Sequence, residues 1–171
     1  MPDPFRLRVL KALTVALQEI RPANGYVNDL QTKVFRGRLI YGDDDPMPMV
    51  SILEPPVPID PVVNDGGTIA GDWDLLIQGF VKDDHKNPTD PAYVLLADVM
   101  KRLGIEQDRR DSGGRTLNIL GLGGGKGLGN EIIKMTIGHG IVRPADDISA
   151  NAYFWLTLTL NTAEDLKNPF A

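Results

Sequence analysis

At 171 residues, 42% of them hydrophobic and 24% charged, the chain has the size and make-up of one folded domain, which argues against wholesale disorder. A net charge of −5 with scattered basic residues offers no stripe to neutralise a row of phosphates, which argues against specific duplex binding. The absence of cysteine excludes disulfides, thiolate nucleophiles and sulfur-ligated zinc or iron.

Asp3 and Pro4 form a helix opening, an acceptor for free first-turn amides followed by proline at the first helical position. From there Phe5, Val9, Ala12, Leu13, Ala16, Leu17 and Ile20 fall on one stripe, and Pro22 ends the pattern. This predicts a helix covering a sheet. Its basic start at Arg6, Arg8 and Lys11 is not expected to act as a signal peptide, because the apolar stretch is broken at Gln18 and Glu19. No apolar run anywhere approaches the roughly 20 residues a membrane span needs, so no membrane partner is expected.

Alternating segments at 32–41, 49–54, 72–82, 132–142 and 152–161 read as strands. In the first, Arg36 and Arg38 alternate away from Phe35, Leu39 and Tyr41, and both are candidates for an interface. The loop at 42–48, with Asp43, Asp44 and Asp45, is expected to close a long hairpin between the first two strands, its acidic tip facing solvent or a partner. Prolines at 55, 56, 58 and 61 predict an extended arm over 55–63.

Asp90 and Pro91 repeat the helix opening; Ala92, Leu95, Leu96, Val99 and Leu103 follow at helical spacing, and Gly104 is the expected stop. Beyond it, residues 105–130 predict a long loop that carries Arg109, Arg110 and the glycine-rich run with Lys126. Loops of this length and composition gain little from their own packing, so this one and the 43–47 tip are expected to become ordered against other chains.

In the last strand Phe154, Leu156, Leu158 and Leu160 form one face, which should meet the helices, while Tyr153 and Trp155 lie on the other. Aromatics there need cover, from the proline-rich arm or from a neighbouring subunit. The fold class is therefore α+β: a mostly antiparallel sheet of four or five strands with two amphipathic helices packed on one face, in a single domain over 1–171.

Catalytic chemistry finds little support in the residues. The glycine run has Lys126 followed by Gly127 where a phosphate loop needs Ser or Thr, and its glycine register is wrong. Three consecutive aspartates at 43–45 splay outward and lack a calcium-loop pattern. Of two histidines, His139 sits between Gly138 and Gly140 and is expected to be packed in the sheet, with no serine in a nucleophile-elbow context. No catalytic, cofactor or metal site is assigned.

Four stretches carry a family likeness: Val-Phe-Arg-Gly-Arg at 34–38, Pro-Met-Val-Ser-Ile-Leu at 48–53, Ile-Gly-His-Gly-Ile-Val-Arg-Pro at 137–144 and Ala-Tyr-Phe-Trp-Leu at 152–156. With the order of elements, they make the chain similar to the tail terminator proteins of long-tailed bacteriophages. The resemblance implies a non-enzymatic structural protein with no cofactor, assembled in the host cytoplasm and located in the virion at the head-proximal end of the tail. Its implied partners are copies of itself in a six-fold ring, the tail tube protein and a head-completion or neck protein, with DNA only passing through the lumen. Six copies at −5 each would carry −30. The alternatives are another neck, head-closure or tail-completion component, or a small ligand-binding domain or enzyme.

Overall fold

The structure, a computed structural model, describes residues 1–42, 44–56, 63–123 and 129–171. In chain order these form helix α1 (Phe5–Gln18), strands β1 (Val34–Arg36), β2 (Met49–Leu53), β3 (Val63–Asp65) and β4 (Thr68–Val81), helix α2 (Asp90–Gln107), and strands β5 (Glu131–Arg143) and β6 (Ala152–Asp165). The six described strands make one sheet in the order β1-β2-β4-β6-β5, with β3 beside the start of β4. The class is α+β, and the sheet is largely antiparallel with both helices packed on it.

The helix-side core follows from the two periodicities. Phe5, Val9, Leu13 and Leu17 of α1 and Leu95, Val99 and Leu103 of α2 bury against Trp73, Leu75 and Ile77 of β4 and against Phe154, Leu156, Leu158 and Leu160 of β6. The leucine face of β6 meets the helices as expected. The register places Trp73 opposite Leu160, Leu75 opposite Leu158 and Ile77 opposite Leu156, so both strands present one continuous dry face.

Several local expectations give way to tertiary constraints. Asp3 does not cap α1; its carboxylate holds Lys11 at 2.6 Å instead, while the Phe5 amide donates to Pro169 O. Helix α2 runs through Gly104 to Gln107, because Glu106 beyond it is buried and anchored by Arg102 and Arg109. That burial outweighs the roughly 1 kcal/mol cost of an interior glycine.

The expected hairpin between the first two strands is absent: β1 and β2 are parallel, Val34 pairing with Val50 and Arg36 with Ile52. Strand β1 stops after three residues, where Gly37 turns at φ 65, and the chain crosses back over the sheet before entering β2. The arm expected over 55–63 falls mostly outside the described residues, which do place Val63 in β3. A tight Gly66-Gly67 turn joins β3 to β4, both glycines at positive φ as a two-residue hairpin loop requires.

The 105–130 region is also more ordered than its composition suggests, as far as it is described. Arg110 bridges to Leu117, Asp111 accepts from the Arg115 amide at 3.0 Å, and Ile119 and Leu120 bury in a short 3-10 turn against α1. The expectation that this loop needs other chains for its order is corrected for 105–123, which its own core contacts hold.

Candidate assembly interface

The sheet face turned away from the helices divides into two parts. At the end where β2 begins, Met49, Phe80 and Tyr153 form a second buried cluster with Phe35, Tyr41, Met47 and Trp155 packed against it. Ring centroids lie 4.7 Å apart for Tyr41 and Phe80, 6.1 Å for Phe80 and Tyr153, and 5.5 Å for Tyr153 and Trp155. The chain's own crossing segment therefore packs against the cluster that holds Tyr153, where the sequence predicts the proline-rich arm or a neighbouring subunit; most of that arm lies outside the described residues. Further along the same face Asp74, Thr159, Asp72 and Asn161 hydrogen-bond in pairs, Thr159 to Asp74 at 2.6 Å and Asn161 to Asp72 at 2.7 Å.

The crossing segment is locked by Arg38. With the strand broken at Gly37 the alternation no longer applies, and Arg38 lies on the same side as Phe35 and Tyr41, its guanidinium 4.8 and 5.5 Å from their ring centroids. This corrects the expectation that Arg38 points the other way. Its carbonyl accepts from Tyr41 Oη and, at 3.0 Å, from Ser51 Oγ. Its side chain pairs with Asp45, which also accepts from the Gly42 amide at 2.7 Å. Asp45 is thus an internal staple and not part of an acidic tip; Asp44 is exposed, and Asp43 lies outside the described residues. Burial raises the Tyr41 phenol above its ordinary pKa.

Locking this segment leaves Leu39 and Ile40 outside, 74% and 85% exposed. Across the sheet Ile141, paired with Trp155, is 58% exposed. Trp155 itself is half-buried, and among the described residues its indole N–H has no acceptor.

The β5–β6 connection is built around Asp146. One of its carboxylate oxygens accepts from the Ile148 amide at 2.9 Å and the other from Tyr153 Oη at 2.8 Å, with Arg143 at 3.7 Å. These donors, the Ile148 amide first, hold the carboxyl below the usual aspartate range. The Tyr153 phenol is raised by burial first and by its bond to Asp146 second.

Arg36 projects to the helix side, exposed, where it donates to Thr14 Oγ1 at 3.0 Å. Beside it a groove of about 520 Å³ is lined by Lys11, Val15, Gln18 and Arg36. On the other side of Val15 a cavity of about 350 Å³ opens between α1 and α2, lined by Glu19, Arg102, Glu106 and Arg109. Glu106, almost wholly buried, accepts from both arginines, so Arg109 is an intrachain partner. Arg110 is exposed, and Lys126 lies outside the described residues.

Sequence reasoning thus reached Arg36, Asp44 and Arg110 as exposed groups and Trp155 as a half-buried one. It missed Asp146 and Glu106; the only available signal for the latter was its spacing, four residues after Arg102 and three before Arg109. His139, expected to be packed, is exposed at a bulge of β5. Gly140 makes room for Leu96 instead, since a Cβ there would stand 2.5 Å from Leu96 Cδ2. Among the described residues no three His, Asp or Glu side chains converge, and no helix is long and apolar enough to cross a membrane. No family model matches the chain, and no curated protein matches it.

Proposed function

We propose that this chain is a structural protein of the phage virion, a tail terminator whose ring caps the completed tail tube, stops its polymerisation and offers a surface to the head. The carrying observation is that the four stretches behind the family resemblance, two from each half of the chain, fall on β1, β2, β5 and β6 at one end of the sheet, with β4 joining the two pairs. Residues 34–36 pair with 50–52, 49–53 with 76–80, and 152–156 lie between 77–81 and 140–143. The aromatic cluster at this end is flanked by exposed apolar residues, Leu39 and Ile40 on the crossing segment and Ile141 on β5, and exposed apolar side chains on either side of a locked cluster suit a contact surface.

On this reading the domain works by presenting a rigid shape. The crossing segment is fixed by Arg38, Asp45 and Ser51, so Leu39 and Ile40 are held outward at little further entropic cost on assembly.

Electron microscopy of tails assembled with and without the protein tests the proposal. A ring at the tube end, and tubes that overrun their length without it, are expected. Tails of normal length that fail to join heads would favour a head-closure role instead. A strict monomer both free and bound to tails would remove the ring.

A further inference from the structure

Two surface features at opposite edges of the sheet have complementary chemistry. At the β1 edge, the groove beside α1 combines Val15, 60% exposed, with the Arg36 guanidinium, which among the described residues has no acidic partner. Lys11 is already neutralised by Asp3. The groove therefore offers one uncompensated cation next to an apolar wall.

At the other edge, the β5–β6 connection holds out Asp147 and Ile148. Asp147 is exposed and makes no ion pair among the described residues, while Ile148 is 65% exposed. Ile148 is not loose: Asp146 accepts from its amide, and the Asp146 amide donates to Ser149 O at 2.9 Å. An isoleucine fixed outward by its own loop, with a free carboxylate beside it, is preorganised to enter an apolar recess edged by a cation.

Sheet order puts the groove at β1 and the connection next to β5, so no copy can fill its own groove. Backbone pairing between copies at the long β5 edge is disfavoured. Two irregularities interrupt the strand, and Gln107 Nε2 donates to Met135 O at 2.8 Å, occupying an acceptor on that strand.

We propose that Asp147 and Ile148 of one copy seat in the Lys11–Val15–Arg36 groove of the next, Asp147 pairing with Arg36 and Ile148 packing on Val15. The contact is head-to-tail and closes into a ring when the rotation between neighbours divides a full turn. It rests on the ring reading above and deepens it by naming the surfaces that join the copies.

The cysteine-free chain allows a clean test. Val15→Cys and Ile148→Cys in one chain should give, under mild oxidation, a ladder of disulfide-linked oligomers that reduction collapses. Mixing the two single variants should stop at the unlike dimer, since the bond forms only when the two Cα atoms come within about 7 Å. In parallel, Arg36→Asp and Asp147→Arg should each weaken self-association about tenfold, as for loss of a partly desolvated ion pair, and restore it when combined. Circular dichroism confirms that each variant is folded. Rings by microscopy without the ladder, and without an effect of the charge changes, would overturn this contact and leave the ring reading standing. Wild-type protein that is monomeric both free and on tails would overturn both.

Discussion

Gly79 of β4 lies directly opposite Phe154 of β6, and the Cβ that Gly79 lacks would stand 2.0 Å from Phe154 Cε1. The ring of a wholly buried phenylalanine fills the space above the glycine. Alternation along β4 continues the helix-side face from Trp73 through Leu75 and Ile77 to this position, where the phenylalanine of the next strand supplies the volume.

Gly79→Ala should therefore cost about 1–3 kcal/mol by overpacking, because the core around Phe154 has no free side to yield into. Urea denaturation monitored by tryptophan fluorescence measures it. A loss under about 0.5 kcal/mol would mean that the ring relaxes freely.

Asp98, buried on α2, holds the segment after α1 by accepting from the Val27 amide at 3.1 Å, the Asn28 amide at 2.8 Å and Asn28 Nδ2 at 2.9 Å. Asp98→Ala leaves these donors without their acceptor and should cost about 1–3 kcal/mol. Asp98→Asn keeps one oxygen and should cost less. Hydrogen exchange at Val27 and Asn28 reports both variants, and equal protection in all three proteins would refute the assignment.

The depressed pKa of Asp146 fixes a pH dependence. Its folded-state value lies below the unfolded one, so its stabilising contribution is present above the ordinary aspartate range and is lost as pH falls through the depressed folded value. Acid should release Ile148 and the Tyr153 hydroxyl while the sheet persists. Amide shifts of Ile148 and Ser149 should titrate together in the wild type and not at all in Asp146→Asn.

His139 and Trp155 should separate under substitution. His139→Ala, at an exposed bulge, should change stability by within about 0.5 kcal/mol and, on the proposed function, leave tail length control intact. Trp155→Ala removes a half-buried ring from the aromatic cluster and should cost about 2 kcal/mol, less than truncating a fully buried aromatic. It should also disturb assembly at that end of the sheet. Folded His139→Ala protein that loses all activity, beside parent-like Trp155→Ala, would reopen an enzymatic reading.

Residue order by itself determined the two helices, five of the six described strands and the face that β6 turns to the helices. Those features depend on local periodicity: 3.6 for the α1 and α2 stripes and 2 for the Phe154 to Leu160 face. The α+β class follows, because two one-sided helices must share a partner.

What only the tertiary structure decided depends on contacts between residues distant in sequence. The parallel pairing of β1 with β2 turns on Gly37 ending the strand and on Tyr41 and Met47 finding a cluster with Phe80 and Tyr153. The surface status of the candidate residues was settled the same way. Tyr153 and Asp45 turned inward because partners were available to satisfy them, while Arg36, Leu39, Ile40 and Ile148 stayed outside. Alternation assigns a side chain to one face of a strand, but only the segment lying over that face decides whether it meets water.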